Sequence, residues 1–318
     1  MKDERIFSIN EISYSNLDAL CEHMSNSCEL RSYELSLIAD SILKTAGELY
    51  EVGMNAYEML TLLSSELPGN SVSMKTNDKK ATIYNLQNFS SQVELFDKVE
   101  LSSILTDKFE AVGRAFYESD FLPEYNAEQT FTYVRNSLSD EAYDVFSQQF
   151  DDPRVNYSDS FKQACFAVAD GEVGYCILPL EERGGMRIPG IASLISALDL
   201  KVVAVTPVFG LEGTADMKYA LVGRGFKIPP IEPDNDRYLE IKLDIDSRLT
   251  PAMLLSAAEA LGLSVYKAGT MTIMDNGEPI AFYSVIFKDG GGGFVPFLVF
   301  LTLFAGEYTP IGIYENLE

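Results

Sequence analysis

The sequence predicts an α/β protein in which a helical N-terminal segment precedes two parts that mix strands and helices. Apolar residues recur at helical spacing near the start, and strands alternate with helices from Phe131 onward. After a proline-rich linker the predicted order becomes β-α-β-β-α-β. We therefore divide the chain into residues 1–125, 126–229 and 236–318.

The first part carries helical patterns between residues 14 and 67 and from about Leu101 to Tyr117. Pro68 and Gly69 interrupt the first pattern, as a turn would. Two or three helices packed as a hairpin are therefore expected.

The middle part has short apolar runs that fit strands, separated by stretches that fit helices. The expected strands are residues 131–134, 154–157, 175–180 and 201–209. Prolines among acidic residues then predict a stiff linker, at Pro229, Pro230 and Pro233.

The last part is expected to be ferredoxin-like, since its strands and helices follow the order β-α-β-β-α-β. Asn276 and Gly277 lie between two of its strands, which is a strong hairpin signal. The glycine run 290–293 lacks the Lys-Ser/Thr of a phosphate-binding loop and is expected to be a flexible turn.

The composition limits the partners and cofactors. The chain has 318 residues with 24 basic and 48 acidic side chains, a net charge of −24. Such a charge repels nucleic acid phosphates and anionic lipids, so neither nucleic acid nor a membrane is expected as a partner. Four cysteines and one histidine show no metal-ligand spacing, so no metal and no other cofactor is expected. The first residues lack the apolar stretch of a secretion signal, which predicts a cytoplasmic protein.

The segment SFKQACFAVADGEVGYCIL, residues 160–178, resembles the part of prephenate dehydratases in which a helix ends in Gly-Glu and leads into a strand. It continues as PLEER, residues 179–183, where the family has Pro-(Ile/Leu)-Glu-Asn-Ser. YVRNSLSDEA and ALDLKVVAVTPVFG resemble the family's opening strand and turn and its return strand. The resemblance covers about residues 130–318. It implies a two-lobed, periplasmic-binding-protein-like dehydratase domain followed by an ACT domain.

The resemblance also implies where catalysis would occur. The family's Thr-Arg-Phe triplet supplies a hydroxyl beside the leaving group and a guanidinium for a substrate carboxylate. Here the triplet is Met217, Lys218 and Tyr219. A thioether cannot donate a hydrogen bond, and an ammonium lacks the bidentate fork of arginine. The expected catalytic residues are therefore Lys218 and the retained turn acid, Glu181.

Substrate contacts are expected by the same resemblance from Ser137, Ser139, Tyr219 and Arg183. Arg183 and Arg187 flank two glycines on the turn after Glu181 and could present cations to an anion. Alternatively, these arginines pair with nearby acids on a surface loop.

The C-terminal part departs from the family where phenylalanine would bind. The family's Gly-Ala-Leu is replaced by TPAM, residues 250–253, and its Glu-Ser-Arg-Pro by GTMT, residues 269–272. The effector is therefore unknown.

Two functions remain open. One is an active prephenate dehydratase, a lyase of phenylalanine biosynthesis in which Lys218 and Arg183 replace the clamp. The other is a related protein with weak or no activity that binds a small carboxylate and acts in regulation. Losing a general acid costs about 10²–10⁴-fold in rate, which favours the second.

The N-terminal helices are not expected to form the chorismate mutase that is fused to some dehydratases. A mutase bundle needs several cations to neutralise a dicarboxylate, and between Tyr14 and Leu67 the sequence has Arg31 and Lys44 alone.

An apolar helix from Phe294 to Phe304 has no polar face, so it must be covered. We expect it to be buried in a homodimer through the ACT-like domain. The alternative is burial under the chain's own N-terminal helices.

Overall fold

The computed structural model describes residues 31–40, 42–44, 46–47, 54–65, 95–182, 185–209, 217–232, 235–245, 249–275, 278–305 and 308–317. The chain forms two compact units, Met1–Met54 with Glu66–Ala115, and Asn55–Ser65 with Phe116–Glu318. The predicted boundaries at residues 125 and 229–236 remain predictions. Of the helical pattern predicted between residues 14 and 67, residues 14–30, 41, 45, 48–53 and 66–67 lie outside the described residues, as do Asn276 and Gly277.

The first unit is helical where it is described. Residues 31–40 are helical, and a longer helix spans Leu95–Ala111. Leu35, Val99 and Phe109 are buried in this unit. The second helix starts and ends about six residues earlier than predicted. It ends there because Gly113, at φ 75°, takes the left-handed conformation that closes helices.

The second unit contains the strands and the remaining helices. In chain order they are α1 (Ala56–Ser65), α2 (Glu118–Phe121), β1 (Thr130–Tyr133), α3 (Ser137–Ser147), β2 (Arg154–Tyr157), α4 (Phe161–Ala169), β3 (Tyr175–Glu182), β4 (Met186–Arg187), α5 (Pro189–Ala197), β5 (Lys201–Val208), β6 (Met217–Gly223), β7 (Arg237–Asp244), α6 (Pro251–Ala260), β8 (Ser264–Asp275), β9 (Glu278–Lys288), α7 (Val295–Phe300) and β10 (Tyr308–Glu315). The α/β class is confirmed, as is the β-α-β-β-α-β order from β7 to β10.

The described strands form one ten-stranded sheet in the order β2-β1-β3-β6-β5-β10-β7-β9-β8, with β4 paired to β3. Strands β1, β2 and β3 are parallel, whereas β6 runs antiparallel to β3 and β5. The parallel pair β5 and β10 joins the strands of residues 130–223 to those of residues 237–315. The described strands therefore lie in one continuous mixed sheet, preceded by the helical segment, as the predicted α/β fold class requires.

The apolar C-terminal helix is buried within the chain. α7 continues as a π-helix, Leu301–Ala305, and the leucine and phenylalanine side chains of the two are at most 4% exposed. Helix α1 packs against the π-helix, and Phe297 meets Phe287 of β9 at 4.7 Å between ring centroids. The expected burial of this helix in a dimer is therefore wrong. It is covered by its own chain, including an N-terminal helix, as in the alternative that the sequence left open.

The glycine run 290–293, which the sequence predicts to be a flexible turn, makes backbone hydrogen bonds to carboxylates. The Oδ1 atom of Asp289 accepts hydrogen bonds from the backbone of Gly291 at 2.8 Å and Gly293 at 3.0 Å. Glu118 accepts one from the backbone of Phe294 at 2.9 Å. Three backbone donors of this turn, those of Gly291, Gly293 and Phe294, are thus bound to carboxylates of the chain itself.

None of the described helices combines the length and apolar character needed to cross a membrane. Within the same residues, no group of three or more histidine, cysteine or acidic side chains is placed to hold a metal ion.

Candidate functional site

Four charged side chains from four strands meet on the sheet. Glu181 of β3 and Arg187 of β4 are paired in register, and Arg187 Nε lies 3.3 Å from Glu181 Oε1. Lys267 of β8 donates to the same Oε1 atom at 2.8 Å. Arg187 also forms an ion pair with Glu240 of β7. Two cations thus neutralise two carboxylates, a balance that a buried cluster requires.

Two hydroxyl groups complete the surroundings of Glu240. Ser284 and Tyr314 each donate to this carboxylate at 3.4 Å. Burial, and then the charge of Glu240, raise the pKa of Tyr314 well above its usual value. Burial lowers the pKa of Arg187, but Glu240, Tyr314 and Glu181 together raise it by more, so the pKa lies above its usual value and this guanidinium stays charged.

A cavity of about 420 Å³ lies beside this cluster. It is lined by the turn Gly185–Arg187, by Pro189 at the start of α5, by residues 267–272 of β8, and by Ser284 and Ile286 of β9. Its cations are Arg187 and Lys267, and no acidic side chain is among the described residues that line it.

Lys267 is the cation best placed to meet a ligand. Its side chain is 34% exposed, against 9% for Arg187. The ammonium donates to Glu181 and to the backbone carbonyl of Gly185. An ammonium has three N–H donors, so one remains for a carboxylate in the cavity.

The two expected catalytic residues, Glu181 and Lys218, have different partners in the structure. Glu181 is buried and its carboxylate is engaged by Lys267 and Arg187. Lys218 pairs with Glu181 in strand register, but its ammonium donates to the hydroxyl of Tyr266 at 3.0 Å. It also lies 5.3 Å from the centre of that ring.

Ser137 and Ser139 lie at the start of α3. Ser139 is buried, donates to Val134 O at 2.8 Å and accepts from Asn136 N at 2.9 Å. The side chain of Asn136 accepts from the backbone of Leu138 and Ser139, both at 3.0 Å. The donors that would face an anion at this helix end are therefore already capped.

Tyr219 is buried on β6, and burial raises the pKa of its hydroxyl while a hydrogen bond with Asn136 lowers it. Ser137 is exposed at the first position of α3. Arg183 lies outside the described residues.

Sequence reasoning missed Lys267 and Glu240. A usable signal was present for Glu240, since it stands in the apolar run YLEIKLDI. A carboxylate within a buried strand needs a cationic partner. Which cation would pair with it depends on strand order, which the run itself does not contain.

No family model matches the chain, and no curated protein is similar to it. Among solved structures, prephenate dehydratase from Streptococcus mutans is 18% identical, with a TM-score of 0.47 over 59% of this chain and 99% of that one. GqqA, titled a novel type of quorum quenching acylase, is 16% identical, with a TM-score of 0.43 over 59% and 96%. Prephenate dehydratase from Arthrobacter aurescens in complex with L-Phe is 11% identical, with a TM-score of 0.41 over 58% and 89%. At this level of similarity, function has to be argued from the chain's own residues.

Proposed function

We propose that this chain binds a small carboxylate in the 420 Å³ cavity and has weak or no prephenate dehydratase activity. In this proposal it is a regulatory relative of the dehydratases of phenylalanine biosynthesis. The observation that carries the proposal is the ammonium of Lys267, which is partly exposed at the cavity and retains one N–H donor.

The geometry of the expected catalytic residues supports weak activity. Glu181 is engaged by two cations, and Lys218 donates to Tyr266. Met217 offers no proton at the position where the family has its threonine. A general acid contributes about 10²–10⁴-fold in rate, so an efficient dehydratase would need a replacement acid.

The cavity also favours a single negative charge on the ligand. Its two cations already balance the carboxylates Glu181 and Glu240, so a dianion such as prephenate would leave excess negative charge. A free amino acid would place its ammonium near Lys267 and Arg187 with no acid lining the described cavity. A monocarboxylate such as phenylpyruvate adds one negative charge where prephenate adds two, and it brings no ammonium.

The first experiment measures turnover. Purified protein is incubated with prephenate at neutral pH, and phenylpyruvate is followed with time. We expect a rate far below the 1–10³ s⁻¹ of typical enzymes, that is, below about 0.1 s⁻¹. Turnover of several per second would instead support the alternative, an active dehydratase that uses Lys218 and Arg183.

The second experiment measures binding by thermal shift and calorimetry with phenylpyruvate, prephenate and L-phenylalanine. We expect phenylpyruvate to stabilise the protein, by about 2.7 kcal/mol at a hundredfold excess over its Kd. L-Phenylalanine should give a much smaller shift. Lys267→Met should abolish the effect, whereas Lys162→Met, which changes the charge equally on α4, should not. Binding that survives Lys267→Met would disprove the assignment of this cavity.

A further inference from the structure

Strand β8 forms an open edge of the sheet next to the cavity. It is the last strand in the order, and in the described residues it pairs with β9 alone. Ala268, Gly269, Thr270 and Thr272 are exposed. A Cβ atom built at Gly269 would meet no atom within 4 Å, so the face of the strand at this position is open as well.

The cavity runs along β8 and reaches Ser284 and Ile286 of the neighbouring β9. Residues 267–272, six in succession, line it. Successive side chains of a strand point to opposite faces, so side chains of one face alone could not all reach a single cavity. The main chain of β8 therefore borders the cavity, with Lys267 at one end and Thr272 at the other.

We propose that the carboxylate accepted here is the C terminus of an extended peptide, which adds to β8 as an antiparallel strand. This inference rests on the proposed function, because both require a carboxylate at Lys267. The C-terminal carboxylate accepts from the free N–H of Lys267. The upstream residues of the peptide lie toward Thr272. From its N to its C terminus the peptide therefore runs from Thr272 to Lys267, opposite in direction to β8. Five residues of edge strand at about 3.4 Å each pair with about five residues of peptide.

The surroundings define the chemistry of the peptide. Met271 and Ile286 line the cavity together with Pro189, so the last side chain of the peptide is apolar. The net charge of −24 favours basic residues farther upstream, because they are attracted by the protein's field. Main-chain hydrogen bonds to the edge strand supply affinity that does not depend on the side chains of the peptide, so its other positions can vary in sequence.

The test uses a fluorescein-labelled peptide, Lys-Lys-Thr-Val-Thr-Leu with a free C terminus, and fluorescence anisotropy at low salt. Two matched peptides serve as controls. One carries a C-terminal amide, and the other carries N-methyl groups on alternate backbone nitrogens. Losing one charged hydrogen bond should weaken binding of the amide about tenfold or more. The N-methylated peptide should bind more weakly as well, because it cannot pair with the edge strand.

Two protein variants test the site. Lys267→Met should weaken the free-acid peptide about tenfold or more and leave the already weak binding of the amide nearly unchanged. Gly269→Glu changes an exposed position with open space beside it, and it should repel the carboxylate without disturbing the sheet. Lys162→Met is the control for a lost positive charge elsewhere on the chain.

The outcomes separate this inference from the proposed function. If phenylpyruvate binds at Lys267 and the peptide does not, the inference is overturned and the proposed function stands. If neither binds, both are overturned. Equal affinity for the acid and the amide overturns carboxylate capture. The protein could also be a dimer to which the peptide does not bind and which the peptide does not dissociate. In that case a second copy of β8 occupies the edge, and the inference is overturned.

Discussion

Two arginines, Arg187 and Arg237, each lie between two carboxylates, but their surroundings differ. Arg237 is 1% exposed, forms an ion pair with Glu118, and approaches Asp289 at 3.2 Å. Both carboxylates also accept backbone hydrogen bonds from the glycine run 290–293 and Phe294. At Arg187, by contrast, the second cation is Lys267, and it borders a cavity of about 420 Å³.

The difference separates a structural cluster from a candidate binding site. Around Arg237 the carboxylates are used to fix a turn of the chain. Around Arg187 the partly exposed ammonium of Lys267 keeps a donor that no group in the described part of the chain uses. Buried ion pairs alone are therefore a poor indicator of function. The informative feature is an unused donor facing a space of ligand size.

The largest effect is expected at the structural cluster. Arg237→Met leaves Glu118 and Asp289 buried without their cation, which should cost about 3–5 kcal/mol of unfolding free energy. Urea unfolding followed by circular dichroism measures this loss. Arg154→Met is the control, since that arginine is 68% exposed and 4.0 Å from Asp152. The control should change stability by less than about 0.5 kcal/mol. Similar losses in the two variants would contradict the structural role.

A smaller loss of unfolding free energy is expected when Arg187 of the candidate site is replaced. After Arg187→Met, Glu181 keeps Lys267 and Glu240 keeps two hydroxyl donors. We therefore expect a loss of about 2–3 kcal/mol in the same urea experiment. If this variant loses more stability than Arg237→Met, the distinction between the clusters fails.

The sequence predicted the local elements of the fold far better than the way they associate. The strand at residues 154–157 was predicted with the bounds that it has, because its flanking turns and its composition are local signals. The pairing of β5 with β10 was not predicted, because the residues that meet, Val202 and Gly312, are far apart in sequence. That single pairing places the predicted dehydratase-like and ferredoxin-like parts in one sheet.

The candidate site shows the same limit. Glu181 was chosen from a local turn motif, and it does lie in the charged cluster. Its partner Lys267 stands in an ordinary exposed strand, and only the fold brings the two together. The apolar helix from Phe294 was correctly predicted to need cover. What covers it is set by tertiary packing, which its apolar pattern does not specify.

The hydroxyl of Tyr314, which donates to Glu240, should make stability depend on pH in alkaline solution. Burial, and then Glu240, raise the pKa of Tyr314 above its value in the unfolded chain, about 10. A raised pKa means that stability is complete below pH 10 and falls as pH rises above it, by at most about 1.4 kcal/mol per pH unit. Tyr314→Phe should therefore reduce the loss of stability between pH 8.5 and 10.5 in urea unfolding.

The control for this experiment is Tyr157→Phe, because Tyr157 is 52% exposed. The pH dependence of stability should become smaller in Tyr314→Phe but should not vanish. Burial also raises the pKa of Tyr133 and Tyr308, which therefore contribute to it as well. Equal pH dependence in the wild type and in Tyr314→Phe would show that this hydroxyl is not desolvated as the structure has it.

The smallest effect is expected at Lys218, and it discriminates best between the two functions. Its ammonium contacts the ring and hydroxyl of Tyr266 at the surface, so Lys218→Met should cost no more than about 1 kcal/mol of stability. Binding of phenylpyruvate should be unchanged, because Lys218 does not line the described cavity. Calorimetry on this variant beside Lys267→Met measures that contrast directly. The rate of prephenate turnover, however low, should also stay the same. A tenfold fall in that rate with full retention of binding would instead place Lys218 on a substrate carboxylate and favour the active dehydratase.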